Sequence, residues 1–317
     1  MTSIHLKMVR EAADRIRGIV RHTPLEYSRW LSQENDQQVY LKLECFQATG
    51  SFKLRGAHSK LSLLVETGYQ SGILTVSAGN HGLAVAHSAE KLGLEATVVV
   101  PENASAAKVE AIRRYPERLQ IIGRDYDAAE SAALRMRHET EAVFVSPYND
   151  PDVIAGQGTV ALEMLEDVPD LQALVVPTGG GGLLAGVAVA AKVINPGIKV
   201  YGVEPSASPT MTRALEAGQI IAITEDETLA DGLAGNIEAG SMTFPIVQEL
   251  VDGMVLVTEE QIRNAILRVA RMDHRIIEGS AATAIAALSD VRLKGLKVGA
   301  IVTGCNISHD LFCRLIA

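Results

Sequence analysis

The sequence predicts an α/β fold of two open, mostly parallel sheets flanked by helices, and three observations carry that expectation. Apolar runs of strand length alternate with segments of helical period almost from end to end. The runs are apolar on both faces, as strands covered by helices on each side must be. Composition agrees, with 47% apolar but only 4% aromatic residues, which suits helices packed closely on a sheet better than a β-sandwich. At 317 residues the chain has room for two sheets and a soft expectation of two domains.

Taken in order, the opening MTSIHLKMVREAADRIRG alternates charged with apolar residues and predicts an amphipathic helix; it lacks the apolar core of a secretory signal. The first strand is Val39–Leu43. Further strands are expected at Ile73–Val76, Ala96–Val100, Leu119–Ile122, Val143–Val145, Ala173–Val176, Lys199–Val203, Met254–Val257 and Val298–Val302. Helical period fills 81–92, 105–115, 126–139, 151–166, 183–193, 259–272 and 279–290. No Ser/Gly/Pro-rich linker or internal repeat interrupts this rhythm. The turn cluster Ser146-Pro147-Tyr148-Asn149-Asp150-Pro151 marks a break, so residues 50–146 are expected to form a small domain inserted into a large one made of 1–49 and 147–317.

A formal charge of −9 argues against nucleic acid or anionic lipid as a partner, because such binding sets Lys and Arg against phosphate. The most apolar stretch, 183–191, ends at Lys192 and is far too short to span a bilayer, so no membrane anchor is expected. Cys45, Cys305 and Cys313 form no CxxC and stand in no ligand spacing with His, so neither a disulfide framework nor a zinc site is indicated, and a reducing cytoplasm fits. A small-molecule ligand and a homodimer or homotetramer are the expected partners.

Polar or glycine-rich segments stand where strands give way to helices, the place at which open α/β sheets bind ligands. They are SFKLRGA at 51–57, SAGNHG at 77–82 and PTGGGGLLAG at 177–186, with VTGCN at 302–306 after the last strand. Four consecutive glycines before a helix let several backbone N–H groups converge on an anion, a phosphate above all. The plainer reading is a tight turn that lets helix and strand pack. A rival is a dinucleotide fingerprint in Gly180–Ala185, with Glu204 at the spacing of a ribose-binding acid, which would make a nicotinamide-dependent dehydrogenase. Lys53 follows Phe52 at a helix start, where the positive dipole end disfavours an ammonium, so its amine suits attack on an aldehyde. In SAGNHG, backbone N–H groups with the short side chains of Ser77, Asn80 and His81 suit a grip on a carboxylate; the plainer reading makes Asn80 a helix cap and His81 a first-turn residue satisfied by its own backbone.

Together these segments resemble the fold-type-II pyridoxal-phosphate family, and most closely its threonine dehydratase, serine dehydratase and serine racemase branch. The resemblance spans essentially the whole chain, through KLECFQATGSFKLRGA at 42–57, VSAGNHGLA at 76–84, IAGQGTVALEML at 154–165, PTGGGGLLAG, YGVEP at 201–205, ADG at 230–232, IIEG at 276–279 and VTGCN. It implies a tryptophan-synthase-β-like architecture with pyridoxal 5'-phosphate in the cleft between a large and a small domain. Residue by residue it implies that Lys53 bonds the cofactor aldehyde as an imine, Phe52 packs against the ring and Asn80 bonds its phenolic oxygen. Gly179, Gly180, Gly181, Gly182 and Leu183 would cup the phosphate, and Thr303 would face the pyridine nitrogen. Ser77, Gly79 and His81 fall in the loop that takes the substrate carboxylate. The implied reaction converts a β-hydroxy amino acid such as L-threonine or L-serine to a 2-keto acid and ammonia, with racemisation or β-replacement as the alternative.

Departures from the pattern narrow the expectation. Where the racemase holds a serine as its second acid/base this chain has Ala78, which disfavours racemisation. The racemase's cation site keeps Glu204 but loses an Asp to Thr210, so no metal is expected. Positions of its nucleotide site read Leu83 and His274, and Cys305 replaces a small residue beside Thr303. The chain ends at Ala317, about where the catalytic part of this family ends, so no C-terminal regulatory domain is expected.

Overall fold

The computed structural model describes residues 4–69, 71–104, 106–115, 118–124 and 126–316. Ten strands are described: β1 Leu25–Tyr27, β2 Gln38–Leu43, β3 Ile73–Val76, β4 Ala96–Val100, β5 Arg118–Ile121, β6 Val143–Phe144, β7 Ala173–Pro177, β8 Lys199–Pro205, β9 Gly253–Val257 and β10 Lys297–Val302. They form a six-stranded sheet in the order β1-β2-β10-β7-β8-β9 and a four-stranded sheet in the order β5-β4-β3-β6. Every pairing is parallel except that of β1 with β2. Parallel strands need helices on both faces, and the central ones are buried accordingly, with all of β3 and β7 out of solvent.

Nine of the strands and most of the long helices stand where the sequence places them, to within two residues at either end. Three differences have local causes. Strand β1 is only three residues long and antiparallel at the sheet edge, too short to show a period. Helices Arg29–Asn35, Thr210–Ala217, Thr243–Leu250 and His309–Ile316 have eight residues or fewer and fall below the window in which helical period is visible. The helix expected over 279–290 ends at Ala286 and tightens into a 3-10 turn, because Asp290 is extended and its carboxylate accepts from Arg292 N. Residues 1–3 and 105 of the expected first and third helical segments lie outside the described residues.

Two features fix the helix Lys53–Glu66, which opens on the candidate nucleophile. It lies hard against helix Pro151–Asp167: a methyl placed on Gly156 would come within 2.7 Å of Arg55 O and Gly56 Cα. Beside that contact, the fully buried Arg55 guanidinium bonds Glu44 and Glu163, and the fully buried Lys42 ammonium bonds Glu163 and Thr23 O. Burial opposes the Arg55 charge, but the two carboxylates outweigh it and hold its pKa above the usual value. Two cations and two anions therefore balance in the interior, and removing one partner of such a pair costs about 3–5 kcal/mol. The start of the lysine helix is anchored at once to the end of β2, to the 3-10 turn Glu44–Phe46 and to helix Pro151–Asp167.

Candidate active site

All four segments singled out in the sequence lie just beyond the C-terminal ends of parallel strands. Ser77–Gly79 follows β3, Thr178–Gly181 follows β7, Thr303–Asn306 follows β10, and the stretch from Glu44 to Phe52 follows β2. The lysine loop is clipped to the segment after β10 by backbone pairing. Phe52 N donates to Thr303 O at 3.0 Å, Cys305 N donates to Gly50 O at 2.9 Å, and Ser51 bridges Gly304.

Lys53 Nζ donates to Pro147 O at 2.9 Å and stands 5.3 Å from the centre of the Phe52 ring. Burial pulls its pKa down to about 8, with the Glu278 carboxylate acting in the opposite direction. At neutral pH roughly a tenth of the amine is unprotonated, against well under a thousandth for an ordinary lysine. This is a nucleophile by environment as well as by type.

The glycine loop forms a cup by backbone geometry. Gly181 has φ of +86°, a left-handed conformation that side chains resist, and caps the helix Gly182–Ile194. A methyl on Gly180 would lie 2.6 Å from the Tyr148 ring, and one on Gly182 would lie 2.9 Å from Tyr148 Cα. Gly179 is pressed against Leu233, and Thr243 Oγ1 donates to Gly180 O at 2.7 Å. Leu183 is buried in the first helical turn, where N–H groups lack intrahelical acceptors and the dipole favours an anion.

Asn80 opens helix Asn80–Leu92 but does not act as its cap; its carboxamide reaches across to the other sheet's loops. Nδ2 donates to both Glu278 oxygens, at 2.8 and 3.1 Å, and Oδ1 accepts from Asn306 Nδ2 at 2.6 Å. His81 is buried, with Nε2 3.0 Å from Val145 O, and burial together with the Lys53 charge pushes its pKa down to about 3. Its ring is thus neutral and held by a carbonyl 64 positions along the chain, not by its own stretch of backbone as the plainer reading has it. What it offers a ligand at this helix N-terminus is its backbone N–H, beside that of Asn80. Ser77 Oγ accepts from Gly79 N at 3.1 Å and keeps the loop in shape.

Thr303 is 2% exposed, and its hydroxyl has no hydrogen-bond partner among the described residues. A buried, unpaired hydroxyl is costly unless a ligand completes it. This orphan, the low-pKa amine and the anion cup together fit a group that carries an aldehyde, a phosphate and a polar ring atom.

Residues 16–304 match the family of pyridoxal-phosphate dependent enzymes. The chain belongs to that family. Its cofactor is pyridoxal 5'-phosphate. Among curated relatives, L-threonine ammonia-lyase of Thermotoga maritima is 42% identical over 314 residues, covering 99% of this chain and 78% of that one. Serine racemase of Oryza sativa subsp. indica is 38% identical, covering 94% and 90%. The solved structure of maize serine racemase superposes with a TM-score of 0.93 at 35% identity, covering 98% of this chain and 96% of that one.

The dinucleotide reading fails on Glu204. Its fully buried carboxylate accepts from Met211 N, Thr212 N and Thr212 Oγ1, and so is consumed by the start of helix Thr210–Ala217. Four functional neighbours escaped the sequence reading: Pro147, Tyr148, Glu278 and Asn306. Pro147 and Tyr148 read there as turn residues, while Glu278 and Asn306 were visible only inside the motifs IIEG and VTGCN. No helix among the described residues is long and apolar enough to cross a membrane.

Proposed function

We propose that this enzyme is an ammonia-lyase of the threonine/serine dehydratase type, converting a β-hydroxy amino acid to a 2-keto acid and ammonia. The family membership supports the chemistry, and the observation that selects elimination over racemisation is Ala78. Its methyl packs against the apolar cluster of Ala86, Val98 and Val100 and has no proton to deliver to a substrate carbon.

Bound pyridoxal phosphate supplies an aldehyde that captures the substrate amine and a ring that delocalises the charge left at Cα. Lys53 holds the cofactor, and its Nζ takes the Cα proton. Phe52 would pack beside the ring, Asn80 Nδ2 would bond the phenolic oxygen with the hydrogen not shared by the two Glu278 oxygens, and the Thr303 hydroxyl would meet the pyridine nitrogen. Backbone N–H groups of Gly179, Gly180, Gly181, Gly182 and Leu183 hold the phosphate. The loop of Ser77, Gly79 and His81 takes the substrate carboxylate, aided by the helix dipole. Loss of the β-hydroxyl as water leaves an enamine that tautomerises and hydrolyses in solution. A neutral Thr303 hydroxyl does not hold a proton on the ring by charge, which favours rapid elimination over slow reprotonation at Cα.

We further infer that residues 50–146 act as a small domain inserted in a large one of 1–49 and 147–317; all strands of the four-stranded sheet fall inside that insertion. Half-exposed Phe46, Met272 and Ile276 support assembly as a homodimer or homotetramer, and three free cysteines suit a reducing cytoplasm.

The test is incubation with L-threonine or L-serine, measuring keto acid, ammonia and the chirality of unreacted substrate. Keto acid and ammonia in equal amounts with very little D-isomer are expected, and Ala78→Ser should add measurable racemisation. Abundant D-isomer from the unaltered enzyme would overturn the reading in favour of a racemase.

A further inference from the structure

Glu278 occupies the N-cap position of helix Gly279–Ala286, yet its side chain caps nothing there. A carboxylate at that place ordinarily accepts from the first-turn N–H groups. Here it is turned the other way, 7% exposed, into the space between the two sheets' loops. Its oxygens accept from Asn80 Nδ2 at 2.8 and 3.1 Å and from Asn306 N at 3.1 Å. The backbone makes room for this: Glu278 N donates to Gly304 O at 3.1 Å, and a methyl on Gly304 would lie 2.5 Å from Glu278 Oε1. A side chain at position 304 would displace the carboxylate from this place.

Asn306 completes the arrangement from the other end. Its Nδ2 donates both to Asn80 Oδ1 at 2.6 Å and to Thr49 O at 2.9 Å. The Asn80 carboxamide is therefore gripped at both ends by groups from the large-sheet side, and a flip of the amide would set donor against donor and acceptor against acceptor.

We propose that Glu278 is a positioning residue of the active site, which with Asn306 fixes the Asn80 carboxamide and places a negative charge within electrostatic reach of Lys53. The proposal rests on the cofactor assignment above and adds two roles to it. One is orientation: the amide hydrogen that Asn80 offers to a ligand is aimed by the carboxylate. The other is electrostatic, since the Glu278 charge keeps protonated states in the site more stable than burial alone would allow. A carboxylate serving only helix stability would do neither.

The experiment compares wild type, Glu278→Gln, Glu278→Asp and Asn306→Ala as purified holoenzymes, titrating the visible absorbance of the bound cofactor across the neutral and alkaline range. Loss of an opposite charge at close range moves such a midpoint by about one pH unit or more. Glu278→Gln should shift it downward by that amount, while Glu278→Asp, which keeps the charge, should leave it near the wild-type value. Asn306→Ala should release cofactor more readily on dialysis while keeping the wild-type midpoint. If the Gln variant does not hold cofactor, the midpoint for acylation of the Lys53 amine in the cofactor-free protein replaces it, and should fall below the wild-type value of about 8. An unchanged midpoint in Glu278→Gln, or an equal shift in the Gln and Asp variants, overturns the proposal. So does an Asn306→Ala protein that retains cofactor as wild type does. A wild-type protein that takes up no pyridoxal phosphate would instead refute the cofactor assignment itself.

Discussion

Replacing Gly180 by Ala tests whether the glycine loop is a phosphate cup braced by Tyr148 or merely a turn. Gly180 does not need a left-handed backbone, so alanine meets no conformational penalty there, unlike at Gly181 with its φ of +86°. The added methyl meets the Tyr148 ring instead, 2.6 Å from Cγ and Cδ2 and 2.7 Å from Cδ1. The ring has little freedom to withdraw. Its hydroxyl accepts from Glu238 N at 3.0 Å, and its own backbone lies against Gly182. The loop must move, and overpacking of this kind costs about 1–3 kcal/mol. If the N–H groups of this loop hold phosphate as proposed, they do so only in the unshifted loop, and that cost should fall on cofactor binding. At about 1.4 kcal/mol per tenfold, affinity drops roughly 5- to 150-fold. The assay is equilibrium titration of the cofactor-free protein with pyridoxal phosphate, for wild type, Gly180→Ala, Tyr148→Ala and the double variant. Removing the ring removes the clash, so the methyl should cost far less in the Tyr148→Ala background, a non-additivity expected of residues in contact. Equal losses in both backgrounds would refute the bracing argument.

Two further outcomes are expected. Borohydride reduction of the holoenzyme followed by peptide mapping should place a pyridoxyl group on Lys53 and on no other lysine; Lys53→Ala should abolish the label and lower turnover at least about 10²–10⁴-fold. Burial raises the Glu204 carboxyl to about 7, so its folded-state pKa lies above the unfolded value. Its stabilising contribution is fully present below the ordinary carboxylate range and is lost as pH rises through about 7. Denaturant unfolding of Glu204→Gln should therefore show a flatter decline in stability between mildly acidic and mildly alkaline pH than wild type; an identical decline would show that Glu204 does not titrate in that window.

The sheet strands were legible because parallel strands buried on both faces leave continuous apolar runs, such as Ala173–Pro177, bounded by polar or glycine-rich turns. The site was legible where chemistry demands rare local sequence: four glycines before a helix, a lysine after Phe52, an Asn-His pair after a strand. It was illegible where the functional group is backbone or comes from far along the chain. Nothing in the sequence distinguishes Pro147 as the residue whose carbonyl accepts the Lys53 amine, because every residue has a carbonyl. Glu278 before a helix reads as a cap, and only its missing cap bond and its reach to Asn80, 198 positions earlier, reveal another use. Glu204 misled for the converse reason, as spacing after a glycine loop says nothing about which way a carboxylate turns.

Val145 and the turn cluster Ser146–Pro151 that follows it explain how these distant parts are held to one geometry. Val145 O takes His81 Nε2, Pro147 O takes Lys53 Nζ, and the Tyr148 ring lies under Gly180. Asn149 Oδ1 accepts from Met242 N, while Asp150 caps helix Pro151–Asp167 and pairs with Lys60 on the lysine helix. Lys53, the loop proposed to take the substrate carboxylate and the glycine loop proposed to hold phosphate are thus each tied to a single short run of backbone, whose internal spacing is set by covalent geometry. Reaction at one carbon needs amine, carboxylate and cofactor placed within fractions of an ångström, and misplacement by about 1 Å can cost 10²-fold. Three independent loops hung from two sheets would accumulate such errors. A common strut, itself pinned to the helix Pro151–Asp167 that packs on the lysine helix at Arg55 and Gly56, removes much of that freedom.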